Sequence, residues 1–341
     1  MQATTRNERI EVLDILRGFA LLGIILVNIP VLLQIKLPET TKDTIYAYAL
    51  NFFVEGKLFS IFSFLFGVGF YIFLTRAKLK TEHPYLLFTR RLLILALFGS
   101  VHMYFQPGEA LFFYAIFGFV LMICSKIPMV WNLAFATILL GGSLFLGAKI
   151  LMPLPFMMFG YAAAYYEIFS TILQHRRQWW IFTSIMFLLS IVLWVIQYMH
   201  LPPLDYFMND AAKTEENIAD YIFQENISLW STPIISSFYV GLVCLLAQTK
   251  MLIPLKAYGR MALTNYVAQT FLILGIGYAL NLKGHLSYLG SLIICVNIII
   301  FLIIFSNIWL KYFRFGPLEW LWRLGTYGKN KNIALNQKTM N

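Results

Sequence analysis

The chain has 341 residues, 60% of them hydrophobic and 12% charged, with a mean hydropathy of +0.71. A soluble domain of this length would be far more polar, and the apolar runs are continuous rather than alternating, which argues against a β-barrel. The net charge of +10 comes with no Lys/Arg block interleaved with aromatics, so the excess points to the inner side of a bilayer and not to nucleic acid.

Many runs approach or exceed the length needed to cross a bilayer. The expectation is an all-α, polytopic transmembrane bundle of about ten spans with both termini cytoplasmic. One integral domain fills residues 1–341: a short tail over 1–11, the bundle over 12–310 and a basic tail over 311–341. No short apolar core with a small-residue cleavage site opens the chain, so the first run is expected to be retained. Cys124, Cys244 and Cys295 all fall in apolar runs, with neither a disulfide framework nor metal spacing.

The first helix is predicted over 12–33. At about 100° per residue Asp14, Arg17 and Asn28 share one face, which should look into the bundle. Asp14 and Arg17 at i,i+3 also suit a plain interfacial ion pair. A polar outer loop covers 37–43, and a short surface helix 44–55. The second span, 57–74, carries Ser60, Ser63, Gly67 and Gly69, small residues that let helices approach closely.

Arg76, Lys78, Lys80, Arg90 and Arg91 mark the return to the inner side. A helical hairpin follows, turning at Gln106-Pro107-Gly108. Its third span ends near 106, and the fourth runs over 109–125. His102 lies roughly 7 Å short of the turn at 1.5 Å per residue. Glu109 begins the returning helix. Ionisable groups placed so in an apolar hairpin face a bundle interior or a watery cavity. Together they form a candidate dyad, in which the carboxylate orients the imidazole and raises its basicity. A structural bond tying the hairpin together is the plainer reading.

Further spans are predicted over 130–149, 153–170, 181–198, 227–248, 261–281 and 286–309. Glu167 is expected to pair with Arg176 or Arg177. Residues 202–226 read as an acidic outer loop, with room for one short helix. Residues 316–323 read as a short interfacial helix, with Pro317 in its first turn and tryptophans at the headgroups. His83, His175, His200 and His285 fall in loops and are expected to be solvated. This threading puts Lys36, Lys42, Lys57, Lys149, Lys213 and Lys283 outside and the other 20 of the 26 Lys and Arg inside, Arg6, Arg9, Lys329, Lys331 and Lys338 among them. Near the ninth span Asn265 and Gln269 share a face at i,i+4, which suits interhelical bonding or the lining of a substrate path. No Walker, GxSxG, HExxH or dinucleotide motif is present.

The segments RIEVLDILRGFALLGIILVNI, GKLFSIFSFLFGVGF, RRLLILALFGSVHMYF with GEALFFYAIFG, GRMALTNY and GPLEWLWR together resemble the YeiB-like bacterial membrane proteins, the domain-of-unknown-function 418 family. The likeness spans nearly the whole chain. The family pattern after the histidine is usually Gly-Asp-Ile-Leu; here it is Gly108-Glu109-Ala110-Leu111, with a carboxylate one methylene longer. The loop between the fifth and sixth spans is also shorter than typical.

That family is grouped by distant likeness with transmembrane acyltransferases, including the lysosomal enzyme that acetylates heparan glucosamine. The resemblance implies a cytoplasmic acyl-CoA donor and an acceptor, a small molecule or glycan, at or across the membrane. Arg17, Arg90, Arg91 and Arg260 would draw the donor's phosphates, His102 with Glu109 would supply the base, and no metal is called for. A proton-coupled small-solute transporter and an assembly protein without a site stay open, as does homo-oligomerisation.

Overall fold

A computed structural model describes residues 11–328 apart from 171 and 173. Of the expected tails, residues 1–10 and 329–341, with Arg6, Arg9, Lys329, Lys331 and Lys338, lie outside the described residues. Those described fold into thirteen α-helices with no strand among them: α1 Glu11–Leu32, α2 Thr41–Phe53, α3 Lys57–Lys78, α4 Pro84–Met103, α5 Leu111–Cys124, α6 Met129–Phe145, α7 Pro153–Tyr165, α8 Arg176–Met199, α9 Glu215–Leu246, α10 Ile253–Arg260, α11 Ala262–Ala279, α12 Tyr288–Tyr312 and α13 Pro317–Tyr327.

Every predicted span is a helix, but their reach differs. Among the described residues six stretches are long and apolar enough to cross a bilayer: α1, α2 with α3, α4, α8, α9 and α12. The apolar α5 and α6 have 14 and 17 residues, and α7 has 13, short of the roughly 20 that a full crossing needs.

Three further differences have local causes. Helix α9 starts inside the predicted acidic loop, because Thr214 caps it by accepting from the Asn217 N–H and because Glu215 and Glu216 in its first turn suit the helix dipole. Helix α10, eight residues with Pro254 in its first turn, is too short to show in the hydropathy pattern. Helix α13 packs on α4 and α11, and the Trp322 indole donates to the Arg91 carbonyl at 2.8 Å. That tryptophan therefore makes an internal contact between α13 and α4.

Other predicted side chains also sit differently. Lys57, expected on the outer surface, is fully buried, and its Nζ donates to the Asn51 carbonyl and Ser228 Oγ. Glu167 is exposed, and among the described residues no ion pair joins it to Arg176 or Arg177. His200 pairs with Asp220 at 2.7 Å, whereas His83, His175 and His285 are exposed as expected.

Helix α1 forms the spine, packed by α3, α9, α10, α11 and α12, with Leu16, Ala20, Leu21 and Ile25 wholly buried. Two helix pairs are joined by reciprocal glycines. A Cβ on Gly67 of α3 would strike the Met157 carbonyl of α7, and one on Gly160 of α7 would strike the Phe64 carbonyl of α3. Likewise Gly18 of α1 lies against the Leu255 carbonyl of α10, and Gly259 of α10 against the Asp14 carbonyl. Backbones this close trade many small dispersion contacts, the main source of helix association where lipid offers no hydrophobic drive.

Replacing Gly160 by Leu should therefore lower the thermal midpoint of the purified protein, at a cost of about 1–3 kcal/mol. Gly141→Ala, at a position with open space around the added carbon, should leave the midpoint unchanged. Equal melting of the two variants in detergent would contradict the close approach of α3 and α7.

Candidate functional site between two chambers

Helix α4 delivers His102 in its last turn, and the chain then reverses through Gln106, Pro107 and Gly108. The hairpin is tight because Gly99 of α4 lies against the Phe112 backbone of α5. His102 Nδ1 hydrogen-bonds Glu109 Oε2, and both residues are 3% exposed. The other carboxylate oxygen accepts the Leu111 N–H, so Glu109 also holds the N-terminus of α5, where negative charge is favoured. His102 Nε2 and both polar atoms of the Gln106 amide are buried without a hydrogen-bond partner.

Two chambers border this hairpin. The first, about 830 Å³, is bounded by the early part of α1, the later part of α3, the start of α4, and α13. Its wall carries Arg17, Arg76, Lys80, Arg91, Arg260, Arg314 and Arg323 against Asp14 and Glu319. Arg17 pairs with Asp14 at 3.0 Å. The Arg91 guanidinium lies over the Trp322 ring at 3.6 Å and faces Phe73 at 5.0 Å. Arg323 lies over Phe315 at 4.2 Å.

The second chamber, about 680 Å³, is at the opposite end of α1 and α3. Asn28, Asn51, Gln224, Glu55, Glu225 and Lys149 give it a polar wall, and Tyr48, Phe207, Tyr221 and Tyr288 an aromatic one. Lys149 pairs with Glu55 at 3.0 Å and Glu225 at 3.4 Å. The Asn51 amide donates to Glu225 at 2.5 Å and accepts from Gln224 at 2.9 Å. The two chambers share a wall of Phe62, Leu111, Tyr114 and Tyr266. His102 lines neither chamber, and its ring meets Tyr266 edge-on at 5.3 Å.

The predicted residues are thus sorted by position. Arg17, Arg91 and Arg260 converge on the cationic chamber, and Asn28 faces the other. Arg90 is exposed and lines neither. Asn265 donates to the Tyr258 carbonyl and Ser306 Oγ, and Gln269 to the Leu21 carbonyl and the Tyr258 hydroxyl. These two amides bind helices together and border no chamber. Sequence reasoning counted Arg76, Lys80, Arg314 and Arg323 among the inner charges but could not gather them around one space. It passed over Tyr266, which has no charge and no diagnostic spacing.

Glu319 closes the cationic chamber from α13. Its carboxylate accepts from the backbone N–H groups of Leu263 and Thr264 and from the Thr264 hydroxyl, holding the N-terminus of α11. Among the described residues no group of three or more His, Cys, Asp or Glu could hold a metal ion.

The chain is 44% identical over 344 residues to an uncharacterized 39.9 kDa protein from the amylase 3′ region of Bacillus acidopullulyticus, covering 99% of both chains. The family profile described as protein of unknown function (DUF418) matches residues 163–329. The chain belongs to the YeiB-like DUF418 family. Family likeness extends to the uncharacterized protein YxaH of Bacillus subtilis strain 168, 29% identical over 99% of each chain. It also reaches the uncharacterized protein YeiB of Escherichia coli K12, 41% identical over 88 residues, 26% of this chain and 23% of that one. No solved structure matches. The matched profile takes in Arg260, Tyr266, Arg314, Glu319 and Arg323, while His102 and Glu109 lie upstream of it.

Burial pushes the Glu319 carboxyl above its ordinary range, against the pull of its hydrogen bonds toward ionisation. A carboxyl raised on folding favours the folded state most below its unfolded value, about 4.3, and that contribution is lost as pH rises through the folded value. The thermal midpoint should therefore fall over this window in the native protein. The fall should be smaller in Glu319→Gln, and identical pH slopes for the two would refute the assignment.

Proposed function

We propose that the protein is an acyltransferase of the bacterial plasma membrane, with both termini and the cationic chamber on the cytoplasmic side. An acyl-CoA would be the donor and a hydroxyl or amine compound, sugars included, the acceptor. The observation that carries this reading is the single shared wall, with a buried histidine–carboxylate pair directly behind it.

Seven cations against two carboxylates suit the phosphates of a CoA nucleotide, and the guanidinium groups suit phosphate oxygens in particular. The deeper wall, with Leu65, Phe66, Phe70, Leu95 and Leu111, suits an apolar acyl arm. The opposite chamber offers amides, carboxylates and aromatic faces to a polar acceptor. Attack of its hydroxyl or amine on the thioester releases one proton, for which the His102–Glu109 pair is the base. Such a base contributes roughly 10²–10⁴ in rate.

The purified protein should bind labelled acetyl-CoA, less tightly in high salt, and should transfer the label to one of a panel of sugars and amines. His102→Ala should cut transfer by about 10²–10⁴ without abolishing binding. Arg323→Ala should weaken binding by about tenfold, the loss of one charge-assisted contact. Failure to bind acetyl-CoA, or full activity in His102→Ala, would reject the proposal.

The same two chambers, parted by four side chains, would also suit alternating access by a proton-coupled transporter. Proton-driven solute uptake into proteoliposomes without acyl transfer would decide for that second reading.

A further inference from the structure

The four residues common to both chambers differ in chemistry. Phe62 and Leu111 are apolar, so only Tyr114 and Tyr266 could take part in proton transfer. The Tyr114 hydroxyl is committed: it pairs with Ser63 Oγ at 2.6 Å and lies 3.4 Å from the Phe59 carbonyl. Tyr266, 4% exposed, has no hydrogen-bond partner of ordinary geometry for its hydroxyl. That hydroxyl faces the Glu109 carboxylate and the Ala110 backbone, and the tyrosine ring lies edge-on to His102. His102 and Glu109 themselves line neither chamber. A molecule in either chamber thus reaches the buried pair across the Tyr266 phenol.

We propose that Tyr266 is the catalytic acid–base residue that touches the substrates, and that His102 and Glu109 form the proton store behind it. This rests on the acyl-transfer reading given above. The acceptor oxygen or nitrogen attacks the thioester carbonyl carbon, and its proton passes to the Tyr266 oxygen. The phenolic proton moves on to the Glu109 carboxylate, which shares it with His102. As the carbon–sulfur bond breaks, its electron pair goes to sulfur. The thiolate takes a proton from Tyr266, and Glu109 restores the phenol. Acceptor and acyl-CoA have become acyl-acceptor and free CoA thiol, with the protein unchanged.

A phenol is fit for this place because one oxygen can accept and donate at the same time. Its Glu109 side leads to the buried pair, and its chamber side is where an acceptor would meet it. Phenylalanine would fill the same volume and keep the wall apolar, which makes Tyr266→Phe an informative variant.

The test uses purified full-length protein in detergent with acetyl-CoA and either water or glucosamine as acceptor, read as release of free thiol. Tyr266→Phe should lower thiol release at least 100-fold while the Kd for acetyl-CoA changes less than threefold. Combining it with His102→Ala should add little, because both act on one proton path. Incorporation of 3-fluorotyrosine at position 266, which acidifies the phenol at nearly constant size, should shift the alkaline limb of the rate profile to lower pH. A purely structural tyrosine would not move that limb, so a profile superimposable on the native one overturns the proposal, even where Tyr266→Phe folds poorly. Tyr266→Phe within threefold of native alongside an inactive His102→Ala also overturns it, while leaving acyl transfer standing. A native protein that neither binds nor cleaves acetyl-CoA overturns both.

Discussion

A carboxylate inside an apolar bundle needs a hydrogen-bond donor at short range, and much of this architecture follows from where the chain supplies one. Glu109 finds the His102 ring and the first free N–H of α5. Asp43 finds the Leu289 N–H at the start of α12. Glu319 finds two N–H groups and a hydroxyl at the start of α11. In all three cases the anion sits where unsatisfied donors and the helix dipole already favour negative charge. The Asp43 and Glu319 bonds also join helices distant in sequence, and the Glu109 and Glu319 sites border the proposed reaction path.

Packing supplies the rest of the frame. The glycine contacts draw α3 against α7 and α1 against α10, leaving the chambers between the paired sets rather than within them. The spine helix α1 serves both: Asp14 and Arg17 open on the cationic chamber, and Gly23 to Val31 help to line the other. The buried Lys57 holds the second chamber in shape, tying the α2–α3 turn to α9 through Asn51 and Ser228. Removing a cation from water is costly unless its donors are satisfied, so this lysine makes the local geometry strict.

How much of this was legible in the sequence depended on range. Hydropathy located each long helix, because apolar length is a local property. The His102–Glu109 pairing was legible too, since Gln106-Pro107-Gly108 dictates a reversal and only seven residues separate the two. Groups that meet across tens or hundreds of positions left no such mark. Arg90 and Arg91 are adjacent and chemically alike, yet one faces outward and the other stacks on Trp322, a residue 231 positions away in the hydrogen bond they share. Asn265 and Gln269 had the spacing of a polar path, but the Tyr258 and Ser306 partners that absorb them belong to other helices. The first turns of α9 hid behind their own acidity, although Thr214 followed by Glu215 and Glu216 is a legitimate start signal.

The placement of α13 has a consequence for how the protein comes into being. Glu319, Trp322, Arg323 and Tyr327 form one flank of the cationic chamber, yet they leave the ribosome after all the long helices. A nascent chain that has inserted its earlier helices already holds the histidine, its carboxylate and the opposite chamber, but the cationic chamber still gapes on one side. Completion of the cationic chamber thereby waits for a segment made after the long helices. Until then, the cations that the earlier helices bring to this space face one another without the flank that encloses them.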